Sequence, residues 1–292
     1  MSLPKILVFL RKNTFFIFFA FLFAIILLVL IFGNESLDLV EEKVEVDNGT
    51  VIAYSHTVGS EYLLVFESGL ANDHSIWLQS GILTELSKSF DIVLYDRVGY
   101  GKSSPPNNIR NIQNLTDDLS KVIQKFGAKK KIILIGHSWG GSIIRNYSIK
   151  NPQDIYGLIF VDPSHEQYNT PLTKEKQDTI VKGLQSQFGS PFGGTQEAST
   201  LRESFEYLSS LGNLPNVPTI VLTSMKQDQN NKSSDEFNGK SREDWYAAHE
   251  SLKSGIGNFT HIKTEKSGHY IMLEEPALII DAVGDLLLQK NK

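Results

Sequence analysis

From residue 44 onward the chain alternates short apolar runs with amphipathic stretches. Val44-Glu45-Val46 and Val51-Ile52-Ala53-Tyr54 flank Asp47-Asn48-Gly49-Thr50. An Asn-Gly pair between two alternating runs predicts a β-hairpin. Tyr62-Leu63-Leu64-Val65-Phe66, Ile92-Val93-Leu94-Tyr95, Ile132-Ile133-Leu134-Ile135, Leu158-Ile159-Phe160-Val161 and Thr219-Ile220-Val221-Leu222 are continuous apolar runs. Runs of that length predict strands buried on both faces. Phe259-Thr260-His261-Ile262 is a weaker strand candidate. Between the runs, residues 115–126 place Leu115, Leu119, Val122, Ile123 and Phe126 on one face of a helix. Residues 142–150 and 277–288 also read as helices. This alternation predicts an α/β domain: a mainly parallel twisted sheet with helices on both faces, the hairpin adding antiparallel strands at one edge.

Residues 165–213 break the rhythm. They hold no apolar strand and are rich in Gln, Ser, Thr and Gly, with helical pieces at 174–184 and 197–208. An insertion of this size in an α/β domain predicts a helical cap over a site.

The first residues follow a different pattern. Phe15 to Phe32 is an apolar run of 18 residues without charge, Pro or Gly. As a helix it spans roughly 27 Å, close to the ~30 Å of a bilayer core. It exceeds the h-region of a secretory signal, and Gly33-Asn34-Glu35-Ser36 is a poor cleavage site. An uncleaved anchor over residues 1–33 is therefore expected, then an acidic linker over 34–42 and the folded domain over 43–292. Arg11 and Lys12 precede the run, while Glu35 and Asp38 follow it. That asymmetry predicts a single-pass membrane protein with its catalytic domain outside the cytoplasm.

Composition narrows the function. Hydrophobic residues make up 41% of the 292 and charged ones 21%, enough apolar material for a sizeable core. The formal net charge is -5, and three of the 28 basic residues precede the apolar run, so the rest of the chain is more acidic still. A nucleic-acid partner would call for a basic footprint, and none is present in the sequence. There is no cysteine, which excludes disulfides, thiolate metal sites and cysteine nucleophiles. His74, His165 and His249 lie far apart, without metal-ligand spacing. Gly101-Lys102-Ser103 mimics the end of a P-loop, but Asp96 stands where that motif needs its first glycine.

The chemistry points to Gly136-His137-Ser138-Trp139-Gly140, directly after the run Ile132–Ile135 and before a helix. In G-x-S-x-G a strand turns sharply into a helix with the serine at a strained apex. The glycines let neighbouring chain pass closely. The helix N-terminus offers N–H groups to a developing oxyanion.

In these features the chain resembles the α/β-hydrolase family over roughly residues 44–290. The elbow reads GHSWGG. Asp96-Arg97-Val98-Gly99-Tyr100-Gly101-Lys102-Ser103 resembles the family's Asp-x-x-Gly-x-Gly-x-Ser stretch after its fourth strand. Ser68-Gly69-Leu70-Ala71 resembles its strand-three loop, with Ser68 where His is usual, and Gly268-His269 resembles its closing Gly-His. All four occur in the family's order.

The resemblance implies Ser138 as nucleophile and His269 as its base. Two aspartates compete for the acid. Asp228 follows the run Thr219–Leu222, where most of the family carries it, but with one residue more than the common spacing. Asp162 ends the preceding strand, where some branches place it. The two are close to even, the balance toward Asp162. The oxyanion hole would use the N–H of Trp139 and, by the resemblance, that of Leu70. Asp96 and Arg97 would brace the loop after the fourth strand, His137 would point away across the elbow, and His165 would line the start of the cap.

The implied reaction is hydrolysis of a small-molecule ester or related acyl substrate through an acyl-enzyme, without cofactor or metal. Family members that cleave carbon–carbon bonds, thioesters or amides, or act as perhydrolases, share the triad. Others only bind or sense. Epoxide hydrolases and dehalogenases of this fold use Asp at the elbow, so Ser138 argues against them. Oligomeric state is left open.

Overall fold

A computed structural model describes residues 37–226 and 240–289. Its centre is one eight-stranded sheet in the order β1-β2-β4-β3-β5-β6-β7-β8. The strands are β1 (Val40–Val46), β2 (Gly49–His56), β3 (Tyr62–Glu67), β4 (Asp91–Asp96), β5 (Lys131–His137), β6 (Ile155–Val161), β7 (Thr219–Ser224) and β8 (Phe259–Thr264). β1 pairs antiparallel with β2, and β2 antiparallel with β4. All other pairings are parallel.

The hairpin is longer than its apolar pattern. Val46 pairs with Gly49 across a two-residue turn, and Val40, Glu41 and Glu42 pair with Ser55, Tyr54 and Ala53. The expected 34–42 linker therefore ends early, because its last three residues are already strand. Their charge conceals this from a hydropathy reading. On an edge strand, however, exposed Glu and Lys side chains are what keep the open ladder from pairing with another chain.

Helix α1 (Ser75–Leu78) and α2 (Ile82–Leu86) follow β3. Helix α3 (Ile112–Phe126) begins three residues before its apolar pattern because Asn111 caps it, accepting from the Asn114 N–H in a reciprocal capping box. Its face of Ile112, Leu115, Leu119 and Val122 is buried in one core with Leu63, Val65, Leu134 and Leu158 of the sheet. Each such side chain stabilises the fold by about 1.5–3 kcal/mol. Helix α4 (Trp139–Lys150) starts directly after Ser138.

Between β6 and β7 lie α5 (Glu166–Asn169), α6 (Lys174–Phe188), α7 (Gly193–Ala198) and α8 (Leu201–Ser209). The piece expected at 197–208 is two helices, with Glu197 in α7 rather than at the start of α8. Helix α9 (Arg242–Glu250) has no counterpart in the apolar pattern. It is followed by α10 (Ile271–Glu274) and α11 (Pro276–Gln289). Among the described residues no helix is long and apolar enough to cross a membrane. The run Phe15 to Phe32 lies outside them, as does Asp228.

The register decides where function can sit. Glu67 of β3 pairs with Gly136 of β5, His137 with Val161 of β6, and Val161 with Leu222 of β7. β3, β5 and β6 end within a residue of one another and β7 runs two residues further, so the loops holding Leu70, Ser138 and Asp162 leave the sheet at one carboxyl edge. That is where open α/β sheets form their sites.

Candidate active site

Ser138 occupies φ 52, ψ -120, a left-handed conformation that a non-glycine residue holds only under constraint. The constraint is visible. The Ser138 N–H donates to Val161 O at 3.1 Å, and the Ser138 carbonyl accepts from both Gly141 N and Ser164 N at 2.9 Å. Close packing completes it: a Cβ on Gly140 would lie 2.4 Å from Glu67 O, and one on Gly141 2.4 Å from Pro163 Cβ. The elbow is thus tied to the end of β6, which carries Asp162.

Asp162 is fully buried and also has positive φ, 44. Its Oδ2 lies 2.7 Å from His269 Nδ1. Its Oδ1 accepts from Ser224 N at 3.0 Å and from Trp245 Nε1 at 2.7 Å. Burial pushes its pKa up, but the hydrogen bonds from His269 and Trp245 and the nearby imidazoles outweigh this and hold the carboxyl below its ordinary range. The group therefore stays ionised where an unpaired carboxylate would not.

His269 lies in the loop between β8 and α10, its side chain 35% exposed. Three contacts fix that loop. Ser224 Oγ donates to Ser267 O at 2.7 Å, Gly268 N donates to Glu274 Oε1 at 3.1 Å, and His137 Nε2 lies 2.9 Å from His269 O. A carbonyl only accepts, so His137 carries its proton on Nε2. Burial, with His269 alongside, pulls the His137 imidazole down to about 3, so it is neutral. Its ring centroid is 4.6 Å from that of His269. His137, expected to point away from Ser138 across the elbow, steadies the loop of His269, because β5 delivers it to the same edge.

Leu70 follows β3, and Trp139 is the first residue of α4. The Trp139 N–H sits in the first helical turn, where no intrahelical acceptor exists. The loop around Leu70 is held by Arg97, which is 2% exposed. Arg97 Nη1 donates to Ser68 O at 2.7 Å and Nη2 to Gly69 O at 3.0 Å. The Gly69 carbonyl shares a trans-planar peptide with the Leu70 N–H. Gripping one end of that peptide aims the other. Arg97 therefore does more than brace its own loop.

The rest of the guanidinium is spent on two acids. Nη1 reaches Glu67 Oε1 at 2.8 Å, while Nε and Nη2 fork onto Glu197 of α7 at 2.8 and 3.0 Å. Tyr100 OH donates to Glu197 Oε2 at 3.0 Å and accepts from Ala71 N at 3.3 Å. Burial lifts Glu67 to about 7 against the pull of Arg97 and of the Tyr95 hydroxyl. The network ties the inserted helices to the Leu70 loop. Ser68, in place of the usual histidine, accepts from Trp77 Nε1 at 3.1 Å and donates to Asp73 O at 3.1 Å, so the loop keeps its support.

Asp96 is buried and braces the loop after β4, accepting from Lys102 N at 3.2 Å. The fold also brings His74 to it, Nδ1 to Oδ1 at 2.7 Å, with Asp73 nearby. Sequence spacing hides this group of possible ligand atoms. Asp73 Oδ1 already accepts from Ser75 N and Oγ, so these atoms serve local bonding. His165 caps α5 through Nδ1 and lines a cavity of about 290 Å³ with Arg145, Glu166 and Ser251.

Trp245 and Ser224, on the far oxygen of Asp162, escaped the sequence reading. A signal for the helix of Trp245 does exist: Ser241 and Asp244 form a capping box at its start. Nothing in it foretells where the helix docks.

Compared with known proteins, residues 62–291 match the family described as the alpha/beta hydrolase fold. The uncharacterized protein YqjL of Bacillus subtilis (strain 168) is 24% identical over 253 residues, covering 84% of this chain and 91% of that protein. Among solved structures, a variant of an epoxide hydrolase from Bacillus megaterium superposes with a TM-score of 0.64 at 16% identity, covering 86% of this chain and 100% of the other. The carboxylesterase CesB from Bacillus subtilis gives a TM-score of 0.62 at 14% identity, covering 86% and 92%. At such identities the likeness speaks to the fold.

Proposed function

The chain is a hydrolase of the α/β-hydrolase fold family, and we propose that it cleaves a small carboxylic ester or related acyl compound through Ser138, His269 and Asp162. The observation that carries this reading is the 2.7 Å contact between His269 Nδ1 and Asp162 Oδ2, made at the edge where Ser138 stands strained at a helix N-terminus. In the proposed reaction Ser138 Oγ attacks the acyl carbon while His269 Nε2 takes its proton. Asp162 holds Nδ1–H and stabilises the imidazolium. The N–H groups of Trp139 and Leu70 receive the oxyanion. Collapse expels the alcohol with the proton from His269. Water, activated by the same imidazole, then releases the acid. No step calls for a cofactor.

Epoxide opening is disfavoured on chemical grounds. A serine oxygen attacking an epoxide carbon makes an ether, which water does not cleave. A carboxylate makes an ester, which it does. Ser138 at the elbow therefore fits acyl chemistry.

Full-length protein treated with a fluorophosphonate probe should acquire one covalent adduct, on the peptide holding Ser138. His269→Ala should abolish that adduct, and p-nitrophenyl ester turnover should fall with it. A folded wild-type protein that neither labels nor turns over any ester sinks the proposal.

The proposal extends to the N-terminus: an anchor over residues 1–33 and the hydrolase domain, with its cap at about 165–213, outside the cytoplasm. Its support is the uncharged run Phe15 to Phe32 behind Arg11 and Lys12. Cells expressing the full chain should keep it in the carbonate-washed membrane pellet, and protease added from outside should digest the domain. Recovery in the soluble fraction, or protection of the domain, refutes this part.

A further inference from the structure

The carboxylate of Asp162 has two oxygens, and only one can serve His269. Oδ2 faces Nδ1, while Oδ1 takes the N–H groups of Ser224 and Trp245. Trp245 is remote in sequence and is placed by α9. Its ring is 5% exposed and packs edge-on against Tyr168 of α5 at 4.6 Å. We propose that Trp245 is a positioning residue for Asp162, its indole N–H fixing which carboxylate oxygen meets His269, with α9 held in place by a chain of hydrogen bonds that runs from the Pro163 carbonyl to Glu250.

That chain starts beside the acid. His249 Nε2 lies 2.7 Å from Pro163 O, His249 Nδ1 2.6 Å from Thr223 Oγ1, Thr223 Oγ1 2.7 Å from His261 Nε2, and His261 Nδ1 2.7 Å from Glu250 Oε2. The Pro163 carbonyl only accepts, so His249 must carry its proton on Nε2. Burial pulls His249 down to about 3, so its Nδ1 is bare and accepts the Thr223 hydroxyl proton. Thr223 Oγ1 must then accept from His261 Nε2. The last contact sets His261 Nδ1 against the Glu250 carboxylate. A carbonyl at one end thus sets the direction of the bonds along the chain. Helix α9 is fastened at its C-terminal end by two successive residues: His249 to the residue after Asp162, and Glu250 to β8.

The indole N–H does two things for the reaction. It keeps Asp162 from rotating Oδ2 away from His269, and it withdraws negative charge from the carboxylate. With the Ser224 N–H still holding Oδ1, its loss should slow the chemistry and leave more negative charge on the carboxylate facing His269, raising the basicity of His269. Direction of the second effect separates positioning from general loosening of the fold.

This inference rests on the triad reading, so the experiment includes its control. Ester hydrolysis by full-length Trp245→Phe, Thr223→Val and Asp162→Asn would be followed from pH 5 to 9, with thermal midpoints on the same samples. Trp245→Phe keeps an aromatic ring and loses the N–H. Its kcat should fall about tenfold with KM within about twofold, the scale of one lost hydrogen bond to a charged group. The acid limb of its kcat/KM profile should move to higher pH by about half a unit. Thr223→Val, which cuts the chain without touching Asp162, should shift the limb the same way by less. If Trp245→Phe does not fold, the limb of Thr223→Val decides the matter. Folded variants with an unmoved limb overturn the positioning role while leaving the triad intact. If Asp162→Asn keeps wild-type turnover, the triad reading fails, and this inference falls with it.

Discussion

Ser138→Ala should lower kcat for ester hydrolysis by about ten-thousand- to millionfold while leaving the fold in place. Removing the hydroxyl removes the covalent route entirely. What survives is the rate that binding and the N–H groups of Trp139 and Leu70 can give to direct attack by water. The substitution asks little of the structure. Alanine meets the same left-handed strain at φ 52 as serine does, and the Ser138 side chain caps nothing on α4. The constraints that hold the elbow are backbone bonds and glycine contacts, which the variant retains. Thermal unfolding should therefore stay close to wild type. The measurement is kcat under saturating p-nitrophenyl ester, with circular dichroism on the same sample. A folded variant that keeps more than about a hundredth of the rate cannot be reconciled with a serine nucleophile. One that keeps a binding function despite losing turnover would point to a sensing role.

Asp162→Asn should cost about ten-thousandfold in kcat at neutral pH, and the structure says why. The amide has one oxygen and one NH2. Ser224 N–H and Trp245 Nε1–H both donate to the Oδ1 position, so the amide oxygen must stay there. Its NH2 is then forced toward His269 Nδ1, at the 2.7 Å position now held by Oδ2. A donor facing Nδ1 requires Nδ1 to be bare and Nε2 to carry the proton. An imidazole protonated on Nε2 cannot take the proton of Ser138. Asp228→Asn supplies the comparison and should change kcat by less than about twofold. Steady-state turnover of the two variants side by side checks the assignment. A large loss in Asp228→Asn with a small one in Asp162→Asn would reverse it.

Much of the fold was legible because strand burial leaves a mark on each residue. The five apolar runs became β3, β4, β5, β6 and β7, and the weaker sixth became β8. The start of β1 was not legible. Glu41, Glu42 and Lys43 belong to an edge strand whose stability comes from the partner ladder rather than from its own hydropathy. Helix α9 was missed for a related reason. Its buried residues, Arg242, Trp245, Ala248 and His249, are not an aliphatic stripe, so periodicity did not register them. The insertion was visible as an interruption, but the break at Ser199 and Thr200 was not. At the break Thr200 Oγ1 donates to Arg110 O, and just before it Glu197 meets Arg97, a pairing across 100 residues of sequence.

By itself, then, the sequence determined the alternation of strands and helices, the pentapeptide at residues 136–140, and the order in which the four motifs occur. These are local facts: hydropathy, glycine at a tight turn, and a serine between a strand and a helix. Tertiary structure alone decided which partners those motifs have. It brought the carboxyl ends of β3, β5, β6 and β7 to one edge, placed Asp162 against His269 and brought His137 to the carbonyl of His269. It also turned Arg97 onto the Gly69 carbonyl and Trp245 onto the far oxygen of Asp162. Each of these is a hydrogen bond between groups distant in the chain. Such a bond depends on sheet register and helix docking, which arise from the packing of the whole core and leave no signature in the residues that form the bond.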